Sequence, residues 1–170
     1  MKKLFALAIL ATVFSSAQVS AQDDKSKRPS PPATETATLS NGAIIIINYS
    51  QPSVKGRTLG KDIAPYGKVW RTGANEATTF ETTNDVTING NKLPAGKYSL
   101  FTIPGENEWS VIFNKTANQW GTRYKEEDDL FRFTVKPSKH ASTEQMKFDI
   151  DKEGIVRLMW ADQMINFQVN

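Results

Sequence analysis

The chain has 170 residues, a formal net charge of +3 at pH 7 and no cysteine. Without cysteine it can form no disulfide, no thiolate metal site and no cysteine nucleophile. It also carries no stripe of Lys and Arg interleaved with aromatic residues, so nucleic acid binding is not expected.

Residues 1–21 have the three parts of a secretory signal. Lys2 and Lys3 form a basic start, residues 4–14 are apolar, and Ala21 precedes the expected cleavage site. The apolar stretch is about half of the ~20 residues that a membrane-spanning helix needs. We therefore predict an exported protein, periplasmic or extracellular after cleavage, with no transmembrane segment in the mature chain. Since both lysines leave with the signal, 19 basic residues remain against 18 acidic ones, a net charge of about +1.

Residues 22–35, QDDKSKRPSPPATE, are polar and proline-rich, which predicts a flexible linker. One folded domain is then expected over residues 36–170. At its start, two β-prone runs flank Asn41 and Gly42, the pair that type I′ hairpin turns favour. Residues 44–47 are four consecutive isoleucines, which suits a central strand covered on both faces.

Residues 51–70 show no sustained periodicity and predict a long excursion between strands. Strand-like runs then resume, with a second hairpin signal at Asn89 and Gly90 and short links at residues 152–154 and 161–163. Roughly nine to eleven strands and no amphipathic helix predict an all-β fold. The expected architecture is an antiparallel two-sheet β-sandwich, of which a jelly roll is one form.

The segment WRTGANE, at the end of the excursion, is the first candidate site. Arg71 offers a planar fork of donors for a carboxylate or phosphate. Asn75 can both donate and accept, while Glu76 can accept hydroxyl groups or act as a base. Tyr66 and Trp70 provide flat faces on which sugar rings stack. This composition is typical of a pocket for a small polar ligand or glycan.

The same residues also fit a purely structural role. Arg71 and Glu76 could pair with each other across the loop, while Trp70 closes the end of the sandwich, as corner residues of sandwich folds do. A hydrolase that uses Glu76 is a further alternative, but the sequence nominates no second carboxylate for it. Arg57 and Trp120 could join the pocket if their loops lie near the motif.

Metal and cofactor sites are not expected. The acids at residues 126–129 are consecutive, whereas a calcium loop alternates its oxygen ligands. His140 is the single histidine and lies in a polar segment, so it has no partner for a zinc site.

The chain resembles a known bacterial family over about residues 36–169. The elements GR, PYGKVWRTGANEAT, LPAGKYSLFTIP and W-x-VIFN stand in order, and on them the chain is similar to the domain of unknown function 2911. The resemblance implies an exported β-sandwich without an established activity. The resemblance leaves the function open. From the residues of the WRTGANE segment we expect a binding or accessory module rather than an enzyme, with the oligomeric state open.

Overall fold

The computed structural model describes residues 24–170. The predicted signal sequence lies outside these residues. The described part contains two short 3₁₀ turns, Lys25–Lys27 and Glu126–Asp128, and ten strands. The strands are β1 Pro32–Thr38, β2 Ile44–Ser50, β3 Thr78–Thr82, β4 Val86–Ile88, β5 Asn91–Leu93, β6 Gly96–Ile103, β7 Trp109–Asn114, β8 Asp129–Val135, β9 Ser138–Ile150 and β10 Ile155–Gln168.

The larger layer is a six-stranded antiparallel sheet in the order β1-β2-β3-β6-β7-β8. The second layer pairs β9 with β10, and the β4–β5 hairpin joins it through an antiparallel bridge between Ile88 and Val169. The predicted all-β antiparallel sandwich is confirmed. Strands that are consecutive in the chain are mostly neighbours in one sheet, so the connectivity is a meander and not the double Greek key of a jelly roll.

One hydrophobic core lies between the two layers. Alternate residues of the large sheet, among them Ile45, Ile47 and Phe80, pack against Phe148 and Phe167 of the second layer. The centre is aromatic, and the Phe80 ring meets the Phe113 ring edge-on at 5.2 Å. In β2 the burial alternates, with Ile45 fully buried and Ile44 37% exposed. The expectation that this strand is covered on both faces is therefore wrong.

The predicted linker at residues 22–35 ends earlier than expected. β1 begins at Pro32, where it pairs with Ser50, so residues 32–35 belong to the sheet. The described residues before it also contact the domain, because Lys25 and Arg28 bind the carboxylate of Glu76. The local composition hides these contacts, since ion pairs across a long separation leave no periodic signal.

Two hairpin expectations have different outcomes. Asn89 and Gly90 both have positive φ and connect β4 to β5 directly, as a type I′ turn requires. Residues 161–163 form no hairpin, because β10 runs through them as one strand. Ala161 has a φ of 52° and the register shifts on either side of it, so the feature is a β-bulge.

The chain pairs with β6 on both sides of a loop that precedes β3. Thr78 pairs with Leu100, whereas the next partner along β6, Thr102, pairs with Trp70. Residues 71–77 are therefore looped out opposite the one residue, Phe101, that lies between these partners. The backbone N–H of Gly67 donates to the Pro104 carbonyl at 2.8 Å, so the pairing of this segment continues just beyond the end of β6.

Candidate functional site

The looped-out segment pairs with a second loop above the large sheet. The N–H of Ala77 donates to the carbonyl of Gln119 at 3.0 Å, and the N–H of Gly121 donates to that of Asn75 at 3.2 Å. These two bonds flank Glu76 and Trp120, which form an antiparallel bridge. Such a non-hydrogen-bonded pair brings its two side chains close together on one face. The two irregular loops of the chain therefore meet at this pair.

Glu76 and Trp120 differ in their surroundings. Trp120 is 45% exposed, one of the most exposed large apolar side chains in the part of the chain that the structure describes. The Glu76 carboxylate accepts hydrogen bonds from Arg28 Nη1 at 3.1 Å to each of its oxygens. Lys25 Nζ lies 3.0 Å from Glu76 Oε1. An exposed indole thus stands beside a carboxylate that two cations hold.

These contacts fix the ionisation of Glu76. Burial alone would raise the pKa of its carboxyl, but hydrogen bonds from Lys25, from the Glu76 backbone and from Arg28 outweigh burial. Together with the charge of Lys25 they lower this pKa from 4.5 to about 2. Glu76 is therefore a carboxylate throughout the physiological pH range.

A groove of about 320 Å³ opens beside Glu76. Its floor comes from β2 and β3, through residues such as Asn48 and Thr79, and its rim comes from Lys25, Arg28 and Lys97. Three cationic side chains thus line the groove against one carboxylate. The full lining is Lys25, Arg28, Pro32, Asn48, Tyr49, Ser50, Glu76, Ala77, Thr79, Lys97 and Asn118.

The floor contains a hydroxyl group without a hydrogen-bond partner. Thr79 is 5% exposed, and its buried Oγ1 has no hydrogen-bond partner among residues 24–170. In the register of the sheet it lies between Asn48 of β2 and Ser99 of β6. Those neighbours are bonded elsewhere, since Asn48 Oδ1 accepts from Thr34 and the Ser99 hydroxyl donates to the Thr116 carbonyl. Sequence patterning gave no sign of this group, because threonine is ordinary in a strand.

Arg71 does not pair with Glu76. Its aliphatic stem covers Gly121, where an added Cβ would lie 2.0 Å from Arg71 Cδ. The Nε of Arg71 is buried without a partner. The expected ion pair within the motif is thus replaced by packing of Arg71 against the second loop and by binding of Glu76 to Arg28.

Asn75 has a structural position in the loop. It adopts a φ of 60°, and its side-chain amide donates to the Ser30 carbonyl at 3.3 Å. Its own carbonyl accepts from Gly121. Asparagine tolerates this left-handed conformation better than most residues, so Asn75 shapes the turn that presents Glu76.

Trp70 is partly buried against the core and does not line the groove. Its ring stacks on Trp160 with centroids 5.3 Å apart and meets Trp109 edge-on at 6.3 Å. Its indole N–H donates to the Gly73 carbonyl at 3.0 Å. The expectation of a stacking surface at Trp70 is therefore wrong, and the alternative of a residue that closes the sandwich is the one that fits.

Tyr66 and Arg57 also lie apart from Glu76. The Tyr66 ring covers Gly60, and its hydroxyl accepts from Gln163 Nε2 at 3.1 Å beside a separate cavity. Arg57 donates to the carbonyls of Ser53 and Val54 and so closes its own turn. The structure brings together Arg71, Asn75, Glu76 and Trp120, but it does not place all seven predicted residues in one pocket.

The second loop has its own ion network. The Tyr124 hydroxyl donates to the Asp129 carboxylate at 2.8 Å. Arg132 donates to this carboxylate and also to that of Glu126. Burial first, and then the bond to Asp129, raise the pKa of Tyr124. Within residues 24–170 no group of three or more His, Asp and Glu side chains could hold a metal ion. His140, expected in a polar loop, lies within β9 beside Thr143.

Comparison with known proteins identifies the class to which this fold and site belong. The family model described as "Protein of unknown function (DUF2911)" matches residues 30–169. The chain therefore belongs to this family, and the looped-out WRTGANE segment is part of the matched region.

Two other comparisons found nothing. No curated protein and no solved structure matches the chain. Within residues 24–170 no helix is long and apolar enough to cross a membrane.

Proposed function

We propose that this chain is an exported binding module that takes up a small polar ligand, glycans included, in the groove beside Glu76. The observation that carries the proposal is the backbone pairing of Glu76 with the exposed Trp120. This pairing sets a flat apolar face beside an ionised acceptor, a combination that fits a ring bearing hydroxyl or amino groups. Export rests on the sequence pattern of residues 1–21.

The chemistry of the groove favours binding over hydrolysis. A carboxylate with a pKa of about 2 is a poor general acid or base near neutral pH. Glycoside hydrolysis also needs a second carboxylate, and Glu76 is the one acid among the described residues that line the groove. A purely structural role accounts for Trp70, but it does not account for the exposure of Trp120.

Binding can be tested by thermal-shift screening of the chain from Gln22, its predicted mature start, against oligosaccharides and polar metabolites. A ligand at 100 times its Kd stabilises the folded state by about 2.7 kcal/mol, which is several degrees in Tm. We expect Trp120→Ala and Glu76→Gln to weaken binding of any hit by more than tenfold. Val69→Ala is the matched control, because Val69 is 41% exposed, does not line the groove and lies outside the paired segments 75–77 and 119–121. A hit whose affinity survives both site substitutions would overturn the proposal.

A further inference from the structure

The residues before β1 form a short strap, defined as residues 24–31. It begins with the 3₁₀ turn Lys25–Lys27, which Asp24 caps by accepting from the Ser26 N–H. None of the turn residues is buried. Further on, the Gln51 N–H donates to the Pro31 carbonyl at 2.9 Å, and the strap then enters β1.

The strap contributes one wall of the ligand groove. Lys25 and Arg28 line the groove together with Asn48 and Thr79 of the sheet. Both cations bind Glu76, so the carboxylate that the groove offers is already occupied by a part of the same chain. The Thr79 hydroxyl, which has no hydrogen-bond partner in the described part of the chain, lies in the floor of the same groove.

The contacts that hold the turn of the strap are polar and accessible to water. The side chain of Lys25 is 56% exposed and that of Glu76 is 37% exposed, whereas that of Arg28 is 21% exposed. Ion pairs between exposed groups contribute little to stability, because water and salt screen them. The three turn residues are held by such polar contacts and not by buried side chains, and segments of low local stability supply the parts that move in binding.

We propose that Lys25 and Arg28 of the strap occupy the Glu76 carboxylate of the groove in cis, and that the chemical group selected at this end of the groove is a guanidinium or an alkylammonium. The proposal rests on the proposed function, in that a ligand in trans would use the same groove. Arg28 shows which group fits, since one guanidinium nitrogen binds both oxygens of Glu76 at 3.1 Å. A ligand that carries such a cation replaces Arg28 at Glu76 and releases the strap from this carboxylate.

The test uses N-acetyl-arginine amide as the probe and isothermal titration calorimetry as the measurement. The proteins are the chain from Gln22 and its Lys25→Ala/Arg28→Ala variant. When a site is blocked in cis, the apparent affinity equals the intrinsic affinity multiplied by the fraction of molecules in which the site is open. Release of the strap should therefore strengthen binding of the probe by about three- to tenfold. Lys27→Ala is the control, because Lys27 pairs with Asp24 and leaves Glu76 untouched.

Glu76→Gln, placed in the strap-released variant, tests the group that is selected. We expect it to weaken binding of the probe by more than tenfold. Thermal melts of every variant verify that it is folded. Equal affinity of the chain from Gln22 and the strap-released variant would overturn occupancy in cis, and affinity unchanged by Glu76→Gln would overturn selection of a cation.

The two proposals fail in different ways. If a neutral oligosaccharide binds both proteins equally in a Trp120-dependent manner while the arginine probe binds neither, the inference about the strap is wrong and the proposed function stands. If neither the oligosaccharides nor the probe binds the strap-released variant, both proposals are wrong.

Discussion

The carboxylate of Glu76 is bound by Arg28, which lies 48 residues earlier in the chain, and not by Arg71 of its own motif. The partner comes from a segment whose composition predicts a linker. The ionisation of Glu76 is therefore set by residues outside the loop to which Glu76 belongs. The ionisation of the site depends on residues 24–31, whereas its shape depends on the pairing of residues 75–77 with 119–121.

The first prediction concerns stability against pH. The pKa of Glu76 is lowered to about 2 in the folded chain from its ordinary 4.5. Its contribution is therefore complete above about pH 5 and is lost as the pH falls towards 2. Thermal unfolding of the chain and of Glu76→Gln should differ near neutral pH and converge at about pH 2. A difference in Tm between the two proteins that stays constant from neutral pH to pH 2 would contradict the lowered pKa of Glu76.

The second prediction concerns the pKa of Glu76 itself. Arg28→Ala removes two hydrogen bonds to the carboxylate and should raise its pKa into the interval between about 2 and 4.5. The measurement is an NMR titration of the Glu76 side chain. Lys27→Ala, which removes a nearby cation paired with Asp24, should leave the midpoint unchanged.

The third prediction compares two neighbouring threonines of β3. Thr79→Val removes a buried hydroxyl that has no partner and should stabilise the fold by about 1 kcal/mol. Thr78→Val removes a hydroxyl that donates to the Thr72 carbonyl at 2.7 Å and should destabilise it by about 1 kcal/mol. Urea denaturation at constant m-value measures both changes. Effects of equal sign would show that Thr79 has a partner in solution.

The fourth prediction concerns two tryptophans of the two loops. Trp70→Ala removes a ring stacked on Trp160 and should cost about 3 kcal/mol of stability. Trp120→Ala removes an exposed ring and should change stability by less than about 0.5 kcal/mol. Chemical denaturation separates the two outcomes. A large loss of stability at Trp120 would identify it as a packing residue and weaken the case for a site.

The fifth prediction concerns two glycines with positive φ in the long excursion. Gly60 has a φ of 85°, and an added Cβ would lie 2.3 Å from Cζ of Tyr66. Gly56 has a φ of 71° and open space around it. Gly56→Ala should cost about 1 kcal/mol through backbone strain alone. Gly60→Ala should cost a further 1–3 kcal/mol or so, because the Tyr66 ring must also move. Equal costs would mean that the ring is not packed on Gly60.

Local patterns predicted the fold well where the local signal decides the structure. The Asn89 and Gly90 turn is an example, since two positive φ angles in succession are a property of those residues. Asn41 and Gly42 show the limit of the same signal. There Gly42 alone takes positive φ, and the N–H of Leu39 donates to the Ala43 carbonyl, so the connection is longer than two residues.

The candidate site was predictable in its location but not in its membership. The composition of the WRTGANE segment drew attention to the loop that carries Glu76 and pairs with the Trp120 loop, because it places many polar and aromatic groups in a short irregular stretch. Which side chains face the groove depends on long-range contacts. Trp70 belongs to the core because Trp160 lies beneath it, and Trp160 comes from β10, at the far end of the sequence. The sequence also did not indicate the bulge at Ala161, because the polar residues that follow it, Asp162 and Gln163, are typical of a hairpin turn.

The looped-out segment 71–77 has a consequence for how such a protein can change. The residues on either side of it, Trp70 and Thr78, pair with Thr102 and Leu100 of β6. Only one residue of β6 lies between these two partners, whereas the loop between Trp70 and Thr78 has seven residues. Changes at the tip of the loop, residues 74–76, would leave the register on either side of it intact, whereas Thr72 and Gly73 are buried and accept hydrogen bonds from Thr78 and Trp70. The sheet and the tip of this loop are therefore separable, and the tip would suit grafted sequences.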